Sequence, residues 1–200
     1  MPSNSKVLIN DTRVSESFKN NLNNHEFKTK LQFLSLGAHN IHEENKMLAA
    51  HAIEELLPKD RVISSLESYE GVKRRFETIF EDKDFKLIDD FAHHPTAIEE
   101  TIKMIKEQTN NLVLIVELGS NSMKKGIHDK RLINIFKNQD TYTINASTEQ
   151  RKIFANHAKE ITEKDVTKIC SVDVEKKTIL MCGNRNFQGF QKHILDEIIK

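Results

Sequence analysis

The chain has 200 residues, 30 basic and 30 acidic, so its formal net charge is zero and no global field favours nucleic acid or an anionic membrane surface. Hydrophobic residues make up 38%, enough for a packed core, and no window approaches the ~18 apolar residues of a membrane span. Cys170 and Cys182 are too few for a disulfide framework and sit in apolar runs, so reduced, buried thiols in a cytoplasmic protein are expected.

The opening residues, Met1-Pro-Ser-Asn-Ser-Lys6, are polar and lack the apolar stretch of a signal peptide. Strand-like runs follow at Lys6–Ile9 and Lys30–Leu34, separated by turns rich in asparagine (Asn20, Asn21, Asn23, Asn24). They read as antiparallel strands whose sheet partners are not obvious within the chain. Leu48, Ala49, Ala52, Ile53 and Leu56 recur on one face of a helix expected over about 43–57. A second helix is expected over about 60–68. The phrase Gly71-Val-Lys-Arg-Arg-Phe-Glu77 is dense in charge and begins at a glycine. It reads either as a hinge or as a solvated charge run.

From residue 80 onward strand and helix alternate. Strands are expected at 85–90, 111–118, 141–144, 168–172 and 178–182, and helices at 96–108, 128–137, 148–161 and 187–199. The continuous apolar run 112–116 suits a strand buried on both faces. Phe190, Ile194, Leu195 and Ile198 form one stripe on the last helix. Such alternation predicts an α/β fold with a mostly parallel, doubly wound, Rossmann-like sheet flanked by helices.

The most informative stretch is Lys86-Leu-Ile-Asp-Asp-Phe-Ala-His-His-Pro-Thr-Ala-Ile98. A short strand ends in Asp89 and Asp90, His93 and His94 fill a turn, and Pro95 suits the first helical position, where a missing N–H costs nothing. Thr96 and Glu99 have capping-box spacing, a competing start for the same helix. Two carboxylates and two imidazoles therefore lie beyond a strand's carboxyl end and near a helix N-terminus, where α/β proteins bind ligands. Local capping by an aspartate beside solvated histidines is the alternative. Nine histidines are present, but none combines with cysteine at zinc spacing, and adjacent residues such as His93 and His94 rarely ligate one ion. No structural metal is expected. There is no Gly-x-Ser-x-Gly elbow, and none of the six glycines precedes a lysine, so there is no P-loop.

Asp89-Asp-Phe-Ala-His-His-Pro-Thr-Ala-Ile98 resembles the opening of the carboxyl-terminal domain of Mur ligases, most closely the members that attach a murein tripeptide, with the alanine-adding members as near relatives. Gly37-Ala-His-Asn40 and Gly71–Glu77 resemble the end of the family's central, ATP-hydrolysing domain. The resemblance implies that His39 and Asn40 flank adenine and that Arg75 approaches the phosphates. An asparagine amide offers both a donor and an acceptor to a base edge, and a guanidinium can hold phosphate bidentately. Glu43 stands where the family usually has a second asparagine. Glu117-Leu-Gly-Ser-Asn-Ser-Met-Lys124 resembles the family phrase Glu-Pro-Arg-Ser-Asn-Thr-Met-Lys; Ser120, Asn121, Met123 and Lys124 match, while Leu118 and Gly119 replace the proline and the arginine. If that arginine holds an anionic substrate group, the contact is lost here. An ordinary strand-to-helix turn is the alternative. Leu180–Lys192 resembles the family's Met-Ser-Asn-Gly-Gly-Phe-Gly-Gly segment; Phe187 and Gly189 match, and Asn186 and Gln188 replace glycines.

The resemblance implies a division into the edge of a central ATPase domain (1–76), a hinge or linker (77–84) and a carboxyl-terminal ligase domain (85–200). It implies part of an ATP-dependent peptide ligase of peptidoglycan recycling, inactive alone. Such a ligase joins L-Ala-γ-D-Glu-meso-diaminopimelate to UDP-N-acetylmuramate through an acyl phosphate. ATP and Mg2+ are the implied cofactors, held mainly by the missing central domain, and the missing amino-terminal ligase domains are implied partners. By the same resemblance Asp90 accepts hydrogen bonds from the ATP ribose, and His93 and His94 face the incoming peptide, with Asp90 and His93 the catalytic candidates. Ser120 and Asn121 are further substrate-binding candidates. The altered Asn, Arg and Gly positions keep a second reading open: a non-catalytic ligase remnant that binds a nucleotide or a cell-wall peptide.

Overall fold

The computed structural model describes residues 6–11, 14–23, 30–35, 41–53, 56–69 and 72–200. The chain divides into two compact units, Met1–Glu70 and Gly71–Lys200.

In the first unit, strands β1 (Lys6–Asn10) and β2 (Lys30–Leu34) pair in parallel, Lys6 opposite Lys30 and Asn10 opposite Leu34. The antiparallel expectation is corrected by helix α1 (Glu16–Asn23), which lies in the connection and returns the chain in the same direction. Parallel neighbours need a crossover of this kind, whereas a tight turn makes antiparallel ones. Helices α2 (Ile41–Ile53) and α3 (Lys59–Glu67) follow, close to their expected bounds.

In the second unit, six strands lie in the order β3 (Glu77–Glu81), β4 (Phe85–Asp90), β8 (Lys177–Cys182), β5 (Leu112–Glu117), β6 (Asp140–Ile144) and β7 (Lys159–Glu160). All pairings are parallel except that of β3 with β4. Residues 77–84, read from the sequence as a linker, are thus an edge strand and a tight turn. The turn is closed by the Asp82 carboxylate, whose Oδ1 accepts from Asp84 N at 2.9 Å and Phe85 N at 2.7 Å.

Every residue of β5 and β8 is buried, as a central parallel strand requires. Their side chains alternate between two cores. Leu112, Leu114, Val116 and Leu180 meet α4 (Pro95–Lys106), α6 (Asp129–Phe136) and α7 (Thr148–Phe154) through Ile98, Ile102, Ile135, Phe136 and Phe154. Val113, Ile115, Ile179 and Met181 face the other way, toward Val166 and Ile169 of α8 (Glu163–Ile169) and Ile194 of α9 (Phe190–Ile198).

Three expected elements differ. The strand over 168–172 is instead the end of α8 and its turn. Thr162 and Asp165 form a capping box that starts this helix, and Val166 and Ile169 are its buried face. A short apolar run cannot be divided between helix and strand by periodicity alone. Lys177, only 5% exposed, then donates to the Ile169 and Ser171 carbonyls at 3.1 and 2.7 Å and holds the turn. The helix over 148–161 stops at Phe154, and 159–160 become the edge strand β7. The last helix starts at Phe190, after a 3-10 turn at Phe187–Gly189.

Candidate functional site

Parallel strands with alternating crossovers bring the carboxyl ends of β4, β8, β5 and β6 to one edge of the sheet. There the backbone must leave the ladder, and side chains on the connecting turns can meet.

At the end of β4 the two aspartates point to opposite faces, because side chains alternate along a strand. Asp90 turns toward α4. It is 6% exposed, and its Oδ2 accepts from Thr101 Oγ1 at 2.5 Å. No hydrogen bond among the described residues engages its Oδ1. Asp89, 2% exposed, turns the other way. It accepts from Arg74 Nε at 3.0 and 3.3 Å and from Gln191 Nε2 at 2.9 Å.

Arg74 also donates through Nη2 to the Gly183 carbonyl at 3.0 Å, and its guanidinium lies 5.1 Å from the Phe187 ring centroid. Its own carbonyl accepts from Phe91 N at 2.7 Å. The 73–76 turn is therefore fastened to β4 and to the loop after β8. Arg74 and Phe76 adopt left-handed backbone at φ 59° and 55°, held there by these tertiary bonds. The neighbouring Arg75 is exposed, and its guanidinium sits 4.8 Å from the centroid of Phe91, the residue next to Asp90. No hydrogen bond or ion pair joins Arg75 to Asp90 among the described residues.

His93 and His94 occupy the turn as the spacing predicts, with Pro95 opening α4. His94, not Thr96, is the N-cap. Its Nδ1 accepts from Thr96 N at 3.3 Å. That bond needs a lone pair on Nδ1, so the ring is neutral with its proton on Nε2. Desolvation, then the nearby His128, Arg131 and His93 charges, hold the His94 pKa below its ordinary value. His93 has the opposite arrangement. Its Nδ1 lies 2.9 Å from the Phe91 carbonyl, which can only accept, so Nδ1 carries the proton and neutral His93 presents Nε2 as an acceptor.

Ser120 is the N-cap of α5 (Asn121–Lys124), accepting from Met123 N at 3.3 Å, and Asn121 starts that helix with an exposed side chain. His39 and Asn40 lie outside the described residues.

A second feature at this edge is a cavity of about 570 Å3 whose lining includes Glu117, Lys124, Asn145, Ser147, Arg185 and Gln188. Glu117, at the end of β5, is 1% exposed and accepts from Arg185 N at 3.0 Å and Asn145 Nδ2 at 3.4 Å. Burial raises its pKa, opposed by backbone N–H donors from Arg185 and Phe187 and by the Arg74 and Arg185 charges. Asn145 and Gln188 both have left-handed backbone, φ 66° and 51°, and their side-chain amides are hydrogen-bonded to each other.

Arg74, Asn145 and Arg185 escaped the sequence reading as site residues, and Gln188 entered it only as the replacement of a family glycine. The one signal was negative: Gly119 sits where the family phrase has arginine, which points to a neighbour needing that space.

The profile of the Mur ligase glutamate ligase domain matches residues 74–184. A UDP-N-acetylmuramate–L-alanine ligase of Clostridium perfringens is 34% identical over 89 residues, 44% of this chain and 20% of the relative. A UDP-N-acetylmuramate–L-alanyl-γ-D-glutamyl-meso-2,6-diaminoheptandioate ligase of Escherichia coli is 35% identical over 95 residues, 46% of this chain and 21% of the relative. The solved murein peptide ligase of Psychrobacter arcticus superposes with a TM-score of 0.68 at 21% identity, covering 99% of this chain and 52% of that one. The matched part of this chain thus spans about a fifth of each of these curated relatives.

Proposed function

Because the chain belongs to the Mur ligase family through its glutamate ligase domain, we propose that it is the carboxyl-terminal portion of an ATP-dependent peptide ligase that joins L-Ala-γ-D-Glu-meso-diaminopimelate to UDP-N-acetylmuramate. The observation that carries this reading is the cluster at the carboxyl end of β4. Asp90, His93 and His94 stand within one turn, and Arg75 is stacked on Phe91 beside them.

ATP fits the groups present. Arg75 is exposed and has no ion-pair partner among the described residues, so its guanidinium is free for phosphate. Asp90 keeps Oδ1 as an open acceptor for a ribose hydroxyl, while Thr101 fixes the carboxylate through Oδ2. His39 and Asn40 are assigned to adenine, and Mg2+ to the part of the ligase outside this chain. When bound, ATP supplies the phosphoryl group that activates the lactyl carboxylate as an acyl phosphate.

This chain's residues then orient the attacking amine. Neutral His93 presents Nε2 as an acceptor for an N–H of that amine, its ring held by the Phe91 carbonyl. Neutral His94 presents Nε2–H as a donor to a peptide carboxylate, its ring held by the Thr96 amide. Holding the amine against the acyl carbon, where the C–N bond forms as the C–O bond to phosphate breaks and phosphate leaves, replaces a bimolecular encounter and contributes about 7 kcal/mol or more to lowering the barrier in well-oriented systems.

The test is complementation. The missing amino-terminal domains, taken from the Escherichia coli relative, are mixed with this chain, ATP, Mg2+, UDP-N-acetylmuramate and tripeptide, and the UDP-muramoyl tripeptide is measured by mass spectrometry. The expected result is product that falls at least tenfold with Asp90→Ala or Arg75→Ala. Product unaffected by either change would overturn the reading. The inward bond of Asp90 to Thr101 favours one alternative, a remnant that binds without catalysing. That reading expects tripeptide binding but no product.

A further inference from the structure

We propose that Arg185, from the loop after β8, is a specificity-determining residue: its guanidinium occupies the space Gly119 leaves open and acts as the carboxylate-holding group of the Glu117 cavity. Three observations carry this.

First, Gly119 is not required by its own backbone, since the positive-φ glycines among the described residues are Gly126 and Gly189. What crowds a side chain there is first Arg185. A Cβ on residue 119 would stand 2.9 Å from Arg185 Cδ and 3.1 Å from Nε, closer than packed carbons approach, with Asn184 Oδ1 also 3.1 Å from the same point.

Second, Arg185 is anchored at both ends of its stem. Its backbone N–H donates to Glu117 Oε2 at 3.0 Å, and its Nε donates to the Gly119 carbonyl at 3.0 Å. The residue is exposed, yet its guanidinium is pinned at the cavity wall. A surface arginine held this way gives up rotamer freedom before a ligand arrives, the arrangement that favours bidentate recognition of a carboxylate.

Third, the terminal nitrogens of Arg185 and the Nζ of Lys124 have no hydrogen-bond or ion-pair partner among the described residues, while the Glu117 carboxylate is already bonded to Arg185 N and Asn145 Nδ2. The cavity therefore presents two unengaged cations against one satisfied, buried carboxylate. Its ligand class is a compact group bearing at least one carboxylate. Gly119 and Arg185 form a reciprocal pair, because only one of the two positions can bear a long side chain.

Assigning the natural ligand as the carboxylate end of the incoming peptide rests on the ligase reading above; the anion site itself rests on the cavity alone. The two are separated by using two probes on the whole 200-residue chain. The first probe is glutarate, a bare dicarboxylate, followed by amide chemical-shift titration at Gly119, Lys124 and Arg185. Saturable shifts are expected for the unmodified chain. Arg185→Ala should weaken glutarate about tenfold, the loss expected for one charge-assisted pair. Gly119→Ala should weaken it as well by displacing the Arg185 stem. The double change Gly119→Arg with Arg185→Ala should recover binding to within about threefold of the original, since the new stem enters the vacated space. No saturable shift in the unmodified chain, or equal binding by Arg185→Ala, overturns the proposal. The second probe is the tripeptide. Glutarate behaving as expected while the tripeptide fails to bind sinks the ligase reading and leaves the anion site standing. Glutarate binding that depends on Arg185 together with tripeptide binding indifferent to Arg185→Ala overturns the assignment of the peptide carboxylate to this site and leaves the anion site and the ligase reading standing.

Discussion

Arg74→Ala should loosen the carboxyl end of the sheet more than any other single change in the 73–76 turn. The substitution removes the donors to both Asp89 oxygens, the donor to the Gly183 carbonyl and contacts with the Phe91 and Phe187 rings. Asp89 is left with Gln191 as its one hydrogen-bond partner among the described residues, at a side-chain exposure of 3%. Stranding a buried charge costs about 3–5 kcal/mol. The Arg74 side chain is itself 30% exposed, so water recovers part of its solvation and the low end applies, about 3 kcal/mol. A second variant sharpens the test. Residue 74 has φ 59°, which glycine adopts freely and alanine does not. Arg74→Gly should therefore retain about 1 kcal/mol more stability than Arg74→Ala, although it removes the same side-chain contacts. The suitable assay is native-state amide exchange across low urea, read at Phe91 N–H, bonded to the Arg74 carbonyl, and at Gly183 N–H, bonded to the Asp90 carbonyl. A cycle with Asp89→Asn should return a coupling of about 2 kcal/mol. A loss under about 1 kcal/mol for Arg74→Ala, a glycine variant no better than the alanine one, or a coupling near zero would refute the clamp.

Other consequences can be checked alongside. Thr101→Val leaves Asp90 without its donor in a nearly closed site and should cost about 1–3 kcal/mol in urea unfolding, with Thr101→Ser retaining most of the bond. Lys177→Met removes the donor to the Ile169 and Ser171 carbonyls and the ion pair with Asp173, and should expose the 170–176 turn to limited proteolysis before the sheet unfolds. The His94 pKa is lowered in the fold, so the unfolded chain takes up the proton first as pH falls. The His94 cap should therefore be fully effective above about pH 7 and weaken as pH drops through the ordinary histidine range near 6.5. Thr96 amide exchange should report this, and His94→Asn, which caps without titrating there, should abolish the dependence. Burial pushes the Cys170 thiol up to about 11 and holds the Cys182 thiol well above its ordinary value, so Ellman's reagent at pH 8 should react slowly with the folded chain and with two thiols after denaturation.

Much of the second unit was legible from local pattern. The all-apolar run of β5, the Asp-Asp end of β4, the proline that opens α4 and the 3.6-residue stripe of α9 are each written within a few residues. Elements that depend on partners far along the chain were not. Glu77–Glu81 is an edge strand because β4 offers it a ladder, and its Thr78-Ile-Phe80 triplet between two glutamates is too short to declare a strand by itself. The 148–161 pattern breaks because Glu160 is drawn to the backbone N–H groups of Asn145 and Ala146 beside β6. The parallel pairing of β1 and β2 depends on α1, whose short polar sequence carries little apolar signal.

At the site, the sequence alone brought Asp90, His93 and His94 to one turn, because they lie within five consecutive residues between the end of a strand and the Pro95 that opens a helix. Only the tertiary structure decided which groups those residues meet. It set Arg74 against Asp89, turned Asp90 onto Thr101, and carried Arg185 across from the loop after β8, 66 residues along the chain, to stand over Gly119. The reason is physical: periodicity and turn chemistry act over a few residues, whereas the order of strands in a sheet is settled by which buried faces pack together, and that order chooses the neighbours of every charge at its edge.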